Sequence, residues 1–256
     1  MTMHNPIQFC MINYKGGTGK TCTLVNLAYG MSLKNCRILI IDTDPQGSIS
    51  YHFGLKPIRT LYDVIVGNQS PQACITPART NIDVIASGER LYPAEHHMHL
   101  QPNREFILKN ALESIMATYD YTFIDCSPSI NLINQNAILC APNLLIPVSM
   151  DYMTLLGVKQ LITNAKLLNK YVARGIRVAK IIPTFYNIQN RKTKNVFESL
   201  ENVFPGEISS PIRANVSVSE AAGAGKTLME YAPLSSAVDD FNKLIEEVLQ
   251  YERWKI

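Results

Sequence analysis

The sequence predicts an α/β fold with helices on both faces of a mostly parallel sheet. Apolar β-branched runs alternate with helix-periodic stretches along the whole chain, and runs that are apolar on both faces are typical of strands buried in a parallel sheet. No long Pro/Gly/Ser linker, internal repeat or low-complexity tract interrupts the alternation. Because 256 residues are within the range of one α/β domain, we expect a single doubly wound domain over residues 1–256.

The individual elements follow from local pattern. Short runs rich in Ile, Val, Leu, Phe and Tyr predict strands at residues 7–13, 37–42, 81–86, 121–125, 144–148 and 178–182. Apolar residues recurring every three or four positions predict helices at residues 21–33, 104–117, 155–172, 194–203 and 239–252.

Composition and charge exclude several classes of protein. With 46% hydrophobic residues and a formal net charge of +3, the bulk of the chain is excluded from the intrinsically disordered class. No apolar run approaches the ~18 residues needed to span a bilayer, and residues 1–8 lack the pattern of a secretion signal. The six cysteines include no CxxC pair, so we interpret them as reduced core thiols of a cytoplasmic protein.

A glycine-rich segment directly after the first predicted strand has the features of a phosphate-binding loop. It reads Tyr14-Lys15-Gly16-Gly17-Thr18-Gly19-Lys20-Thr21 and opens the first predicted helix, as such a loop requires. Its glycines let backbone amides surround phosphates, and the helix N-terminus adds partial positive charge. We expect Lys20 to reach the β- and γ-phosphates and the Thr21 hydroxyl to bind Mg²⁺. The loop departs from the general G-x-x-x-x-G-K-[ST] pattern at Tyr14, and it carries a second lysine, Lys15.

Three aspartates follow two other predicted strands. Asp42 and Asp125 stand at the ends of their strands, where α/β sheets place their ligands, and carboxylates there can hold Mg²⁺ through its water shell. Alone, Asp42 would be read as a helix cap, but the upstream phosphate loop favours the functional interpretation. Asp44 lies beyond its strand, free to orient an attacking water.

The loop with its two lysines, KGGTGKT, resembles that of the ParA/MinD class of P-loop ATPases. Three further segments resemble this family: Asp42-Thr43-Asp44-Pro45-Gln46-Gly47, the Walker B strand ending Asp125-Cys126-Ser127-Pro128, and a C-terminal stretch beginning Pro211-Ile212-Arg213 and ending Gly225-Lys226-Thr227. Ser127 replaces a usual proline. The resemblance covers residues 7 to 250 and matches the short, Soj-like type, since no helix-turn-helix segment precedes the first strand.

The resemblance implies specific roles. In this family the extra lysine, here Lys15, reaches the partner subunit's nucleotide, which implies a homodimer around two ATP molecules. The implied catalytic residues are Lys15, Lys20 and Asp44, and the implied Mg²⁺ residues are Thr21, Asp42 and Asp125. The implied nucleotide-binding residues are Lys15, Gly16, Gly17, Thr18, Gly19, Lys20, Thr21, Cys22, Thr184, Pro211 and Arg213, with the adenine against the segment from Pro211 to Arg213.

ParA-like switches commonly bind nonspecific DNA, whereas MinD-like ones bind membranes. Residues 174–226 contain eight basic and four acidic residues. Such local basicity favours contact with phosphate backbones. Arg191 falls where ParA proteins carry a DNA-contacting arginine, but Ser217 replaces the second such arginine. The candidate DNA-binding residues are Arg191, Lys192, Lys194, Arg213 and Lys226. An ordinary basic surface is the alternative.

We therefore expect a cytoplasmic, nucleoid-associated, Mg²⁺-dependent ATPase of slow intrinsic turnover. It would be stimulated by a ParB-like adaptor and would partition plasmid or chromosomal DNA or position another cargo, such as carboxysomes. The alternative is a MinD-like membrane-associated ATPase. A membrane helix should be basic and amphipathic, but residues 239–256 hold five acids against three bases, so we expect a core-packed helix.

Three other interpretations are rejected. Residues 223–227 imitate a phosphate loop, but no apolar strand leads into them. His96, His97 and His99 do not share one helical face, and we expect this segment to be a solvated loop rather than a metal site. An electron-transferring ATPase like the nitrogenase iron protein would need cluster-binding cysteines, and Cys126 and Cys140 lack the glycine-flanked context of that family.

Overall fold

The computed structural model describes residues 6–151, 153–172 and 175–251. Its strands are β1 (Ile7–Met11), β2 (Ile38–Asp42), β3 (Ile75–Arg79), β4 (Ile82–Ile85), β5 (Tyr121–Asp125), β6 (Asn143–Ser149) and β7 (Arg177–Thr184). Its α-helices are α1 (Lys20–Ser32), α2 (Ser48–Phe53), α3 (Leu61–Ile65), α4 (Leu91–His99), α5 (Ile107–Met116), α6 (Leu132–Cys140), α7 (Thr154–Tyr171), α8 (Arg191–Val203), α9 (Val216–Gly223), α10 (Leu228–Tyr231) and α11 (Ser236–Gln250). Short 3-10 turns occupy Pro71–Cys74 and Arg104–Phe106.

The strands form one sheet in the order β3-β4-β2-β5-β1-β6-β7. All neighbours pair in parallel except β3 and β4, which form an antiparallel edge. The central strands β1, β2, β5 and β6 are buried along almost their whole length, because helices cover both faces. The predicted α/β fold with a mostly parallel sheet is confirmed.

The two faces of the sheet carry separate apolar layers. One layer packs α3 to α8 against the sheet, and the other packs α1, α2, α10 and α11. The apolar side of α11, including Phe241 and Leu244, is fully buried in the second layer. The core-packed helix predicted at residues 239–252 is thus confirmed over α11, and residues 252–256 lie outside the described part of the chain.

The topology brings three loops to one edge of the sheet. In the parallel register Met11 pairs with Asp125, and Asp125 pairs with Asp42, so β1, β5 and β2 end at the same height. The loops that leave these strands therefore meet at their carboxyl ends, at the place where α/β sheets bind ligands.

Several boundaries differ from the predictions. The predicted helix over residues 104–117 begins with a 3-10 turn before α5, and the predicted helix over 194–203 begins earlier, at Arg191. The edge strand β3 was not predicted, because its sequence ITPAR contains a proline. Proline lacks the amide that a central strand needs, and it is tolerated only at sheet edges or bulges. The register indeed shifts between Pro77 and Arg79.

Among the described helices, none combines the length and apolar character that crossing a membrane requires.

Candidate nucleotide site

The glycine-rich loop lies between β1 and α1, as predicted. Gly17 and Gly19 have φ angles of 71° and 79°, which an L side chain adopts only at a cost. Gly19 is the N-cap of α1 and offers no side-chain oxygen to the first helical turn. The backbone amides of that turn therefore stay available to an anion. Asn13 holds the base of the loop, since it donates to the Pro147 carbonyl at 2.7 Å and accepts from the Lys15 amide at 3.0 Å.

The ammonium group of Lys20 lies inside this loop. Lys20 is only 7% exposed, and its Nζ lies 3.3 Å from the Lys15 carbonyl oxygen, to which it donates. Burial lowers the pKa of Lys20, and the nearby carboxylates of Asp125 and Asp44 oppose this effect. A buried cation beside a glycine-rich loop is suited to hold the phosphates of a nucleotide.

Two buried carboxylates and a hydroxyl meet beside the loop. The Thr21 hydroxyl donates to Asp125 Oδ2 at 2.6 Å, whereas the buried Oδ1 of Asp125 has no hydrogen-bond partner among the described residues. Asp42 accepts from the amides of Asp44 and Ile49, at 2.9 and 3.2 Å. These are oxygen donors of the kind that Mg²⁺ prefers, and the unpartnered oxygen fits a cation there.

The electrostatics of this pair also fit a cation. Burial raises the pKa of Asp125 to about 7, against the opposing effects of Thr21 and Lys20. Burial also raises the pKa of Asp42 well above its usual range, and the charge of Asp125 adds to this. Two buried like charges are costly alone, and a divalent cation between them would remove that cost.

Asp44 lies in the loop between β2 and α2, half-buried at the rim of the site. One of its oxygens accepts from the Gln46 amide at 3.0 Å, which fixes the turn. Its charge acts on Lys20, Asp42 and Asp125. The carboxylate is thus close to both the loop and the carboxylate pair, although it belongs to neither.

The second lysine of the loop has a different environment. Lys15 donates a hydrogen bond to Asp151, just before α7, and the two side chains are 45% and 28% exposed. Asp151 also accepts from the Ser149 hydroxyl at 2.7 Å and the Met153 amide at 3.1 Å. Lys15 is therefore held at the rim of the loop within its own chain, and its reach to a second subunit stays a prediction.

A cavity of about 580 Å³ opens beside the start of α1. Its lining includes Gly19, Cys22, Thr184, Ile212 and Arg213, but the described Pro211 is not part of it. The Thr184 hydroxyl lies 2.9 Å from the Thr18 carbonyl oxygen and 3.0 Å from that of Val148, to both of which it can donate. Burial raises the pKa of Cys22 to about 12, against the opposing effect of the Asn26 hydrogen bond, so this thiol is neutral.

Two residues of this cavity were missed by sequence reasoning. Phe185 is 51% exposed and has a φ of 54°, a left-handed backbone that is rare for an aromatic residue. His52 also lines the cavity, and burial lowers its pKa. No sequence pattern marks either residue, because both positions depend on how α2 and the end of β7 pack around α1.

The predicted DNA-binding residues do not form one surface. Arg191, Lys192 and Lys194 are exposed in the first turn of α8. Arg213 instead forms a two-pronged ion pair with the buried Asp240, with both nitrogen–oxygen distances at 2.8 Å. Lys226 is exposed beside α10, which packs on the other face of the sheet from α8. Arg191, Lys192 and Lys194 are thus neighbours on α8, whereas Lys226 lies on the other side of the sheet.

The segment over residues 223–227 begins at the last residue of helix α9 rather than after a strand. Gly225 is held by Arg79, whose Nη2 donates to its carbonyl at 3.0 Å, and Thr227 caps α10. As expected from the sequence, no strand leads into this segment.

The prediction of a solvated loop for the histidine segment is wrong. His96, His97 and His99 lie in helix α4 rather than in a solvated loop. On the buried side of α4, Leu91, Ala94 and Met98 pack in the core. The three histidines make the segment polar in sequence, so this burial was not predicted. Among the described residues no group of three or more His, Cys, Asp or Glu side chains is arranged to hold a metal ion.

Comparison with known proteins identifies the family. A sequence model of an AAA domain (AAA_31) matches residues 8–178. The sporulation initiation inhibitor protein Soj of Bacillus subtilis (strain 168) is 32% identical over 241 residues, covering 92% of this chain and 95% of Soj. The chain belongs to the ParA/MinD-type P-loop ATPases.

Other relatives agree with this membership. The chromosome partitioning protein ParA of Caulobacter vibrioides (strain NA1000 / CB15N) is 31% identical over 258 residues, covering 97% of this chain and 96% of that protein. A solved structure of a Cyanothece McdA variant in complex with ATP superposes with a TM-score of 0.86 over 97% of each chain, at 22% identity, which supports the fold. The predicted ParA/MinD-type resemblance and the predicted cofactors, ATP and Mg²⁺, are confirmed.

The cysteines of this ParA/MinD-type ATPase bear on the iron-protein alternative. Cys126 and Cys140 are 1% and 5% exposed, and the Cys126 Sγ lies 3.4 Å from that of Cys10 inside the core. Side chains buried in the core cannot reach a cluster shared at a subunit surface, so this alternative has no support.

Proposed function

We propose that this ParA/MinD-type ATPase is an ATP-dependent dimerising switch. In the ATP state it binds nonspecific DNA, and a ParB-like adaptor stimulates hydrolysis. The switch thereby partitions plasmid or chromosomal DNA, or positions another large cargo, in the cytoplasm over the nucleoid. The observation that carries the proposal is the contrast between the two loop lysines, since Lys20 is buried in the loop while Lys15 stands at its exposed rim.

Phosphoryl transfer requires mainly positioning and charge neutralisation. Lys20 and the loop amides would hold the β- and γ-phosphates, and Thr21, Asp42 and Asp125 would hold Mg²⁺, which neutralises phosphate charge when bound. Asp44 would orient the attacking water. Lys15 would add its charge at the partner subunit's nucleotide, so full neutralisation would need two subunits, which supports slow turnover in the monomer and Mg²⁺-dependent turnover in the dimer.

The first turn of α8 is the proposed DNA surface. Arg191, Lys192 and Lys194 are exposed there, at the positive end of the helix dipole, and they could contact phosphates without reading bases. Arg213 is engaged by Asp240, so we do not assign it to DNA. Lys226 would contribute only if DNA also contacted the other side of the molecule.

The MinD-like membrane alternative has less support. A membrane anchor needs an amphipathic helix with a free apolar side. The apolar side of α11 is instead buried against the sheet.

The deciding experiment is binding of the Asp44→Ala variant to random-sequence duplex DNA, with ATP or ADP, over a series of salt concentrations. We expect binding with ATP only, and affinity that falls steeply with salt because counterions are released from DNA. No binding at low salt would refute the DNA function, and liposome flotation would then test the membrane alternative.

A matched pair of triple variants locates the surface. The triple variant with Arg191→Ala, Lys192→Ala and Lys194→Ala should lose about three phosphate contacts. The slope of log affinity against log salt concentration should therefore become shallower by about three. Lys56→Ala, Lys109→Ala and Lys243→Ala remove the same charge from exposed positions elsewhere and should leave the slope nearly unchanged. Equal effects of the two sets would mean that only net charge matters.

A further inference from the structure

The cavity beside the start of α1 continues directly from the phosphate loop. Gly19, the last glycine of that loop, lines it together with Cys22 and Thr23 of the first turn of α1. Its volume of about 580 Å³ is within the range of sites that bind small molecules. A nucleotide with its phosphates in the loop would therefore extend its base into this cavity.

Arg213 lines this cavity, and helix α11 fixes the orientation of its side chain. The Nε and Nη2 atoms donate to the two carboxylate oxygens of Asp240, each at 2.8 Å. Nη2 also donates to the Ser236 carbonyl at 2.7 Å, and the Arg213 amide donates to Asp240 at 3.0 Å. Because Asp240 and Ser236 both belong to the first two turns of α11, this helix holds the guanidinium in one orientation.

Asp240 is a carboxylate on the apolar side of α11. Its neighbours on that side, Ala237, Phe241 and Leu244, are at most 1% exposed, and Asp240 itself is 4% exposed. A buried carboxylate lowers stability unless it is paired, and an apolar residue would fit the pattern of this helix better. Positions that break a local rule in this way are expected where a residue serves function. Asp240 is therefore a candidate for a role beyond folding.

The contacts with α11 determine which part of the Arg213 guanidinium a ligand can use. Three of its five N–H groups donate to Asp240 and Ser236, which leaves only the two on Nη1. The forked edge that could hold a phosphate with two hydrogen bonds is therefore occupied. The flat face stays available, because the side chain is 43% exposed, and guanidinium faces stack on planar rings.

Phe185 gives the same cavity a second flat surface. Its ring is 51% exposed, and a methyl group at Gly19 would contact that ring at 3.7 Å, so the ring lies against the start of α1. Hydrogen bonds join its segment to that of Arg213: the Tyr186 amide donates to the Ile212 carbonyl at 3.0 Å, and the Ala214 amide donates to the Tyr186 carbonyl at 3.1 Å. The two flat groups thus stand on neighbouring, hydrogen-bonded segments of one cavity.

We propose that Asp240 is a positioning residue for the nucleotide base, since it holds Arg213 so that the flat guanidinium stacks on that base. The assignment rests on the proposed binding of the phosphates at the glycine-rich loop. Because stacking requires only a planar ring, the Arg213–Asp240 pair contributes affinity for purine nucleotides and does not discriminate between adenine and guanine. The competing interpretation is an ion pair that only attaches α11 to the segment of Arg213.

The test compares ligands with and without a base. ATP, GTP and inorganic triphosphate, each with Mg²⁺, compete with a fluorescent ATP derivative for the full chain. Asp240→Leu should weaken the binding of ATP and of GTP by about fivefold or more, as expected for the loss of one stacking contact, and should leave the affinity for triphosphate unchanged. Equal weakening of all three ligands, or unchanged binding of ATP, would overturn the proposal. A loss for ATP without a loss for GTP would overturn stacking as the mechanism.

The choice of variants separates positioning from folding. Leucine at position 240 completes the apolar side of α11, and apolar replacement of buried charges often keeps or raises stability, which urea unfolding measures. Arg213→Lys leaves Asp240 in place and keeps the positive charge but lacks the flat face, so it should lose affinity for ATP and GTP and keep that for triphosphate. The control is Glu246→Gln, which breaks the half-exposed ion pair of the same helix with Lys34 and should change none of the three affinities.

Two further comparisons complete the test. Adding Asp240→Leu to Arg213→Lys should cause no further loss of ATP affinity, because Asp240 acts only through the guanidinium, and additive losses would refute this role. Lys20→Ala should weaken the binding of triphosphate as well as that of ATP, because it removes a phosphate contact. If Lys20→Ala behaves so while Asp240→Leu changes no affinity, the base assignment alone fails. If Lys20→Ala leaves triphosphate binding unchanged, the phosphate loop of the proposed function fails.

Discussion

Lys15 of the phosphate loop is ion-paired with Asp151, the residue that precedes α7 by a short turn. The pair joins the loop after β1 to the segment after β6 at the rim of the nucleotide site. Partial burial alone would raise the pKa of Asp151, but the hydrogen bonds from Lys15 and Ser149 hold it below its usual value. Lys15, which we propose to act on the nucleotide of a second subunit, is therefore ion-paired within its own chain in this structure.

Asp151→Asn should make ATP-dependent dimers form at lower protein concentration. The substitution removes the charge that competes for Lys15 but keeps the oxygen that accepts from the Met153 amide. Exposed ion pairs are worth about 0–1 kcal/mol, and a homodimer contains two of them, so the dimer dissociation constant should fall by about 30-fold at most. Sedimentation velocity over a concentration series, with ATP and with ADP, measures the change.

Lys15→Ala is the complementary variant. It should bind ATP with nearly wild-type affinity and yet fail to form the ATP dimer, because the charge for the partner subunit is lost. A dimer of unchanged stability in Lys15→Ala would remove Lys15 from the interface, and the Asp151→Asn result would then have no bearing on dimerisation.

Lys20→Ala should weaken ATP binding by about 10- to 100-fold, because a charge-assisted hydrogen bond is worth about 1.5–3 kcal/mol. Calorimetric titration with a nonhydrolysable ATP analogue measures the affinity. Lys226→Ala is the control, since Lys226 occupies the equivalent place in the rejected segment over residues 223–227. If both variants, or neither, lost affinity, the assignment of the phosphate loop would be wrong.

Asp44→Ala should lower ATP turnover by about 10²- to 10⁴-fold, the usual contribution of a group that activates or orients a nucleophile. ATP binding should persist, because Asp44 lies at the rim and is not one of the proposed phosphate ligands. Phosphate release under single-turnover conditions separates hydrolysis from binding. Undiminished release would exclude Asp44 from the reaction.

The central part of this molecule could be predicted from the sequence because local pattern and long-range packing agree there. The strands of β1, β2 and β5 are apolar throughout, and a strand buried on both faces requires that composition. The phosphate loop could be predicted as well, since Gly17 and Gly19 provide backbone angles that other residues rarely adopt. The carboxyl ends of neighbouring parallel strands lie at one edge of the sheet, so the proximity of Asp42 and Asp125 could also be predicted.

The remaining features depend on contacts that no local pattern contains. The ion pairs of Lys15 with Asp151 and of Arg213 with Asp240 join residues 136 and 27 positions apart. The helical state of the histidine segment depends on three apolar residues that pack on the core. The position of Phe185 depends on a left-handed backbone after β7. Each of these is fixed by tertiary packing, which overrides local preference.

Glu230 supports a prediction about stability and pH. Arg79 reaches it from the edge strand β3, with a shortest distance of 2.6 Å, and the Thr227 amide donates to it at 2.8 Å. Both side chains of the pair are less than a quarter exposed. Partial burial would raise the pKa of Glu230, but these hydrogen bonds lower it below the ordinary value.

Glu230→Gln should lower the free energy of unfolding at pH 7 by about 1–2 kcal/mol, because a charged hydrogen bond to Arg79 is lost. A carboxylate with a lowered folded-state pKa stabilises fully above its unfolded pKa, about 4.3 for glutamate, and this stabilisation is lost as pH falls through the folded pKa. The difference between wild type and variant should therefore shrink between pH 5 and pH 3. Urea unfolding at several pH values measures it.

The control for this prediction is Glu246→Gln. Glu246 is paired with Lys34 at 2.6 Å, but both side chains are about half exposed, so solvent screens the pair and the loss should stay below about 0.5 kcal/mol. Two outcomes would exclude the Arg79–Glu230 contact as the source of stability at the start of α10. Either the two variants would lose the same free energy of unfolding, or the effect of Glu230→Gln on that free energy would not change with pH. The β3 edge would then owe its attachment to apolar packing around Phe53, over whose ring the Arg79 guanidinium lies.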